Sequence, residues 1–362
     1  MNEFDEYIKM GEPDKKEKSI IWQTAIGLQQ VDGLKPSAYL IETAKQNIEG
    51  DITIDEVKKR IDAYYKTQSV EQADSDDRTE EADKVSARIA EILSEKTFSF
   101  SPTEFVNIHR RLFSGIYKFA GKMRDYNIAK AEWVLNGETV LYASALNLME
   151  TLEYDFQQEK AFNYKGLSKT QIIEHIAHFV AYLWQIHIFG EGNTRTTAVF
   201  LIKYLHKLGF KNTNNDLFAA HSWYFRNALV RANYEDISQG VHKTDKYLIR
   251  FLSNLLLGEN NELKNRYLHI HYVAPQNDTK NVGEMSEKCR RNVGEMSERQ
   301  NKILEIIATN KTVSAQQLSE LLNTTARTIE REIKKMREMN IIKRIGGDRG
   351  GHWQINKTQN NE

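Results

Sequence analysis

The ten residues His187–Thr196, HIFGEGNTRT, hold an imidazole, a carboxylate, two glycines, an asparagine and a guanidinium. A loop that merely joins two helices requires a cap and a glycine. An imidazole can take a proton from a hydroxyl near neutral pH. A carboxylate beside phosphates is a hard oxygen ligand for Mg²⁺, which binds through one or two carboxylates plus substrate phosphate. Free amides at a helix start form an anion site, and a guanidinium adds a fork matched to phosphate. Arginine in the first turn of a helix is otherwise opposed by the dipole, a conflict that a bound anion removes. A base at His187, a metal carboxylate at Glu191 and a phosphate cradle of Gly190, Gly192, Asn193, Thr194 and Arg195 describe transfer from a nucleotide to a hydroxyl. Taken singly, each residue has a plainer reading as a cap, a core group or a solvated charge. The argument lies in their common register.

Two helices must position this loop. QIIEHIAHFVAYLWQ carries Ile172, Ile176, Phe179, Val180 and Leu183 on one face, the stripe of a core helix, and runs into His187. TRTTAVFLIKYLHKL begins the next, with Ala198, Ile202 and Leu205 recurring and Asn193 as the expected N-cap. Upstream, NIAKAEWVLNGETVLYAS sets Asn136-Gly137 between two apolar runs, a short-range hairpin signal.

At these residues the sequence resembles the Fic family, whose loop reads His-Pro-Phe-x-(Asp/Glu)-Gly-Asn-Gly-Arg-x-x-Arg. His187, Phe189, Glu191, Gly192, Asn193 and Arg195 match in register, and the likeness covers roughly 85–255, including YKFAGKMRDYNI. The resemblance implies a helical core with a β-hairpin flap and transfer of AMP from ATP to Ser, Thr or Tyr hydroxyls of a protein. It implies His187 as general base, Phe189 as buried anchor and Glu191 as the Mg²⁺ ligand. It implies a flap of Trp133, Val134, Leu135, Asn136 and Gly137 that aligns the target by strand addition. Ile188 replaces proline, Thr194 replaces the second glycine, and Ala198 replaces the last arginine, which in the family holds the terminal phosphate. Ile188 and the missing arginine also occur in Doc-type relatives, which phosphorylate their target. Their loop has alanine and lysine where this chain has Gly192 and Thr194, so Gly192 and Glu191 favour AMP transfer. A Doc-like kinase remains the alternative, as does a DNA-binding nucleotide sensor without transferase activity.

Residues 1–68 resemble the small antitoxin-type inhibitors of Fic domains. The nearest match to their inhibitory (Ser/Thr)-x-x-x-Glu-(Gly/Asn) is Asp32-Gly33, with Leu28 in the hydroxyl position. Asp is shorter than Glu, and its expected arginine partner is Ala198. The resemblance therefore implies weak or altered inhibition, and a plain structural cap is the competing reading. Within the segment, the spacing predicts a helix from about Ser37 to Gly50 and another capped by Thr53 or Asp55.

The 362 residues bring two or three domains by length. Four prolines and long 3.6-residue periods give a mainly α fold class. The expected layout is 1–68 antitoxin-like, 82–257 catalytic, 258–298 linker and 299–357 a small winged-helix domain. NVGEMSE occurs twice in the linker, too few copies for a repeat fold. Basic and acidic residues balance at 50 each, which excludes a polyanion binder along the whole chain. From Arg299 to Lys357, however, twelve basic residues face six acidic ones, a net +6. Helix, helix, basic helix and two strands around GGDRGG resemble a winged helix-turn-helix. Its third helix would offer Thr325, Arg327, Thr328, Arg331, Lys334 and Lys335 to duplex DNA, with Arg344, Arg349 and His352 on the wing. Leu318, Leu321, Leu322, Ile329, Ile333 and Met336 have core spacing. The single cysteine, Cys289, excludes an intrachain disulfide and a cysteine zinc site. No leader-like or membrane-spanning apolar run is visible, so a cytoplasmic protein without a membrane partner is expected.

Overall fold

The structure is a computed structural model. It describes residues 4–68, 77–210 and 216–272, and from the C-terminal part 303–304, 306–308, 310–322, 329, 332–333, 336–337, 342–345 and 352–355. The chain divides into two compact units, Met1–Ala274 and Pro275–Glu362.

The first unit is helical. Its order is α1 Asp5–Met10, α2 Pro13–Gly27, a 3-10 segment Leu28–Asp32, α3 Ala38–Glu49, α4 Ile54–Gln68, α5 Asp77–Ser94 and α6 Pro102–Phe113. There follow α7 Leu148–Ala161, α8 Lys169–Ile186, α9 Asn193–Lys207, α10 Asp216–Asn233 and α11 Lys246–Leu257. Local chemistry sets many ends. Ser37, Ser101 and Ser168 accept the amide of the third helical residue of α3, α6 and α8. Thr53 and Glu56 satisfy each other's amides in a capping box before α4. Gly50 closes α3 at φ 90°.

One apolar core runs through the unit, and α9 is its axis. Every residue from Asn193 to Leu205 is buried, polar ones included, so this helix is enclosed all round rather than on one stripe. Its Lys203 ammonium donates to the carbonyls of Ile92 and Glu95 at the end of α5. The N-terminal helices share this core. Ser37 and Tyr65 both donate to Asp83 of α5. At Gly27, an added Cβ would lie 2.1 Å from the Ala219 backbone, so α2 crosses α10 at main-chain contact.

The hairpin expected around Asn136-Gly137 is absent as a strand ladder. Trp133–Leu135 coils into a 3-10 turn, and Asn136 and Gly137 take the positive φ values expected of them. The ends meet through Glu132 N–H donating to the Glu138 carbonyl, 2.9 Å. Val134 and Leu135 are both fully buried. A strand covered on one face buries alternate residues, so two adjacent buried side chains fit the 3-10 turn rather than a half-covered strand.

In the second unit, β1 Ile342–Ile345 pairs antiparallel with β2 His352–Ile355, Ile342 opposite Ile355. A helix, Ala315–Leu321, begins at Ser314, whose hydroxyl accepts from Gln317 N–H. Ile303, Ile307, Leu318, Ile329, Ile333, Met336, Ile342 and Trp353 form the core. Leu321, expected inside, is 65% exposed. Trp353 anchors the wing by donating from Nε1 to the Val313 carbonyl, 3.0 Å. Thr325, Arg327, Thr328, Arg331, Lys334, Lys335 and Arg349 lie outside the described residues. Arg344 is described, and its guanidinium lies over the Trp353 ring at 5.0 Å. Among the described residues, no helix is long and apolar enough to cross a membrane.

Candidate active site

The loop between α8 and α9 borders a cavity of about 870 Å³, lined among others by Asp32, Lys130, Trp133, His187, Glu191 and Arg195. His187 closes α8 in the left-handed region, φ 49°. A non-glycine residue there is uncommon and needs support. The support is Arg124, a buried side chain whose Nε donates to the His187 carbonyl at 2.7 Å and whose Nη2 reaches the Ile186 carbonyl at 3.3 Å. Its own amide donates to the Ile188 carbonyl, 3.0 Å. Arg124 thus gathers the carbonyls at the end of α8 and holds the turn at His187. Tyr142 and Trp184 flank the ring at 4.3 and 5.1 Å between centroids.

The His187 side chain is buried, yet neither ring nitrogen has a hydrogen-bond partner. Burial, and then the charges of Lys130 and Arg226, hold its pKa well below 6.5. The imidazole is therefore neutral at pH 7 and retains an acceptor nitrogen. A buried polar group without a partner is costly; His187 bears that cost on the wall of the cavity.

Phe189 is fully buried and stacks on His109 at 3.6 Å. His109 was not singled out from sequence. Its Nδ1 accepts from Gly121 N–H, so its Nε2–H donates to the Glu191 carbonyl, 3.0 Å. Burial pushes its pKa down to about 4. Gly192, not Asn193, is the N-cap of α9, at φ 78°. A Cβ there would meet the buried Phe113 ring at 2.4 Å. Asn193 is turned inward instead, its amide group exchanging hydrogen bonds with Phe189 N–H and C=O at 3.0 and 2.8 Å. It braces the loop rather than offering its side chain to an anion. The Thr194 hydroxyl accepts from Trp184 Nε1, 3.0 Å. Gly190 packs on Tyr126 and Phe119 and does not line the cavity, nor does Gly192. The first helical bond of α9 runs from Thr196 N–H to the Gly192 carbonyl. The amides of Asn193, Thr194 and Arg195 precede it and stand at the helix's positive end.

The Glu191 carboxylate is 45% exposed and paired with Lys130, 3.1 Å. Among the described residues, no group of three or more His, Cys, Asp or Glu could cage a metal. A single accessible carboxylate suits an ion that arrives with phosphate ligands and keeps its waters.

Arg195 is fully buried and already surrounded. Its Nε lies 2.8 Å from Asp32 Oδ2, although the N–H is not aligned with that oxygen. Its Nη1 donates to Gln29, 3.0 Å, and its Nη2 to Glu81, 2.6 Å, and Tyr117, 3.1 Å. The expectation that Asp32 had lost its arginine partner with Ala198 is thereby corrected. The 3-10 turn Leu28–Asp32 delivers the shorter side chain to Arg195, one helical turn before position 198. Burial opposes the Arg195 charge, but Asp32, Tyr117 and Glu81 sustain it. Burial also raises the Asp32 carboxyl, with Arg195 restraining the rise. A further ion pair, Arg226 with buried Glu132 at 2.7 Å, lies on the cavity wall.

Of the expected flap, Trp133 lines the cavity, Val134 and Leu135 are core, and Asn136-Gly137 form the turn. The residues after it, Val140 and Tyr142, are buried, while Leu141 between them is 83% exposed. That alternation is of an extended segment.

Comparison with known proteins places these observations. Residues 99–205 match the Fic/DOC family and residues 299–353 an HTH domain. The chain is 23% identical over 209 residues to protein adenylyltransferase VbhT of Bartonella schoenbuchensis, a match covering 51% of this chain and 41% of that protein. It thus spans less than half the length of this curated relative. Among solved structures, it is similar to the N-terminal FIC domain of the translocated effector Bep8 from Bartonella sp. 1-1C, at 20% identity. That match has a TM-score of 0.37 and covers 48% of this chain and 81% of that one. A Fic family protein from Desulfovibrio desulfuricans G20 matches at 9% identity and a TM-score of 0.45, covering 98% and 92%. Residues 99–205 are a Fic/DOC-family domain, joined in one chain to a helix-turn-helix domain at 299–353.

Proposed function

We propose that this chain is a protein adenylyltransferase, moving AMP from ATP to a Ser, Thr or Tyr hydroxyl of a protein. The observation that carries this reading is His187: a neutral, buried imidazole with both nitrogens unpartnered, on the wall of a cavity that also borders the amino end of α9. The matches to the Fic/DOC family and to an adenylyltransferase support it.

The residues present divide the work. His187 takes the proton of the target hydroxyl as its oxygen bonds the α-phosphorus; the bond from that phosphorus to the bridging oxygen breaks, and pyrophosphate leaves. The amides of Asn193, Thr194 and Arg195 receive phosphate oxygens. Glu191 would hold Mg²⁺ accompanying the nucleotide, which neutralises phosphate charge. The extended run around Leu141 presents main chain and an exposed apolar side chain to the target. Asp32 competes with the nucleotide for Arg195, so the N-terminal segment restrains the reaction. The +6 end of the chain binds duplex DNA through residues of the helix-turn-helix domain.

ATP labelled at the α-phosphate tests the reading: protein-bound label that disappears in His187→Ala supports it. Ala198, which removes the second cation of the loop, favours one competing reading, Doc-like phosphorylation, and transfer of a γ-label would establish that instead.

A further inference from the structure

The cavity's cations differ in what already holds them. Arg195 is enclosed by Asp32, Glu81, Gln29 and Tyr117. Arg226 grips the buried Glu132 carboxylate through one hydrogen bond of 3.0 Å and an ion-pair contact of 2.7 Å. Arg78 donates to the Asp32 carbonyl. Lys130 is different: its ammonium spans both Glu191 oxygens, at 3.1 and 3.3 Å, and Glu191 is the carboxylate that a divalent ion would claim.

We propose that Lys130 is a nucleotide-phosphate ligand that a divalent cation frees from Glu191, supplying the cation that α9 lacks at Ala198. The inference rests on the nucleotide reading of the cavity. A doubly charged ion on Glu191 uses the oxygens that now hold the ammonium and repels it. The lysine stem is flexible and its head is a point charge, so the ammonium swings into the cavity while the backbone stays tied by Lys130 N–H to the Thr139 hydroxyl, 3.0 Å. The side chain is only partly exposed, 27%, and lines the same cavity as His187 and Arg195. After burial itself, its charge is the strongest influence depressing the His187 pKa, which places the ammonium in electrical reach of the reacting centre. A nucleoside monophosphate can be served by the α9 amides. The additional charge of a triphosphate requires a further cation, and Lys130 meets it. Lys130 therefore selects for triphosphates, and in the resting state serves as the counter-ion that a metal displaces.

The test uses full-length His187→Ala protein, which cannot turn over, with and without Lys130→Ala or Lys130→Arg. Equilibrium binding of ATP and AMP is measured in Mg²⁺, and Mn²⁺ binding without nucleotide is measured by electron paramagnetic resonance. Lys130→Ala is expected to weaken ATP about tenfold or more, the value of one charge-assisted hydrogen bond, and AMP less than about twofold. Lys130→Arg should restore ATP binding, and Lys130→Ala should bind Mn²⁺ more tightly because the competing ammonium is gone. Equal losses for ATP and AMP, or Mn²⁺ affinity that is unchanged or weaker, would overturn the inference. ATP binding unmoved by Lys130→Ala overturns it alone, whereas no ATP binding by the parent protein overturns the nucleotide reading with it.

Discussion

Replacing Asp32 by Asn keeps the side chain's shape and removes its charge. At 2.8 Å and an effective dielectric of about 20, the attraction to Arg195 is about 6 kcal/mol before desolvation. Breaking a buried pair commonly costs about 3–5 kcal/mol because the remaining charge is stranded. Arg195 would not be stranded: Glu81 stays at 2.6 Å, with Gln29 and Tyr117 beside it. The loss should therefore be nearer about 1–2 kcal/mol, well below the cost of a stranded charge. For a unit of this size each kcal/mol lowers the melting temperature by about 2–4 °C. The same substitution frees one face of Arg195 for phosphate, so ATP should bind and AMP transfer should proceed about 5–30-fold better. Thermal melting with and without MgATP, beside α-label transfer, reads both effects. A variant that loses stability and ATP binding together would refute restraint by Asp32 and make it a structural support of Arg195. A variant unchanged in both would refute the energetic account of the pair.

Three further outcomes follow from the geometry. Acid should destabilise the fold through His109: unfolded, it takes a proton near 6.5, but folded only at about 4. Stability is full above 6.5 and falls with pH down to about 4, by about 3 kcal/mol in total, so denaturant midpoints should shift over that window and flatten in a His109→Gln variant. Transfer itself should persist below pH 6.5, since His187 stays neutral there; a rate that halves near its ordinary pKa would contradict the buried-base description. Gly192→Ala should cost about 1–2 kcal/mol for the left-handed backbone, and about 1–3 more for the clash with Phe113. Its melting temperature and its ATP affinity should fall together.

What was legible in the sequence was local. Ser37, Gly50, Thr53 and Ser314 announce their helix ends because a cap acts within three or four residues. The register of His187, Glu191 and Arg195 also survives, because a single loop carries all three. What was not legible depends on distant partners. Asn136-Gly137 is a sound turn signal, and the turn forms. Burial of both Val134 and Leu135, a tertiary demand, replaces the strands that should flank it. Asn193 has the chemistry of a cap, but Phe189 four residues earlier takes both ends of its amide. Asp32 and Arg195 are joined by the fold across 163 positions, and Lys130 reaches Glu191 from 61 positions away. No spacing rule connects such residues. His109 and Arg124 brace the loop from behind; the first sits in a stretch that reads as a capped helix, and the second in YKFAGKMRDYNI, which the family likeness includes without assigning the arginine a role.

The most direct test of the account follows ATP labelled separately at the α- and γ-phosphates, with Mg²⁺, on full-length protein and on Asp32→Asn, by scintillation and intact mass. The account predicts protein-bound α-label with the mass of AMP, greater in Asp32→Asn and lost in His187→Ala. Bound γ-label, or α-label that survives His187→Ala, would contradict it.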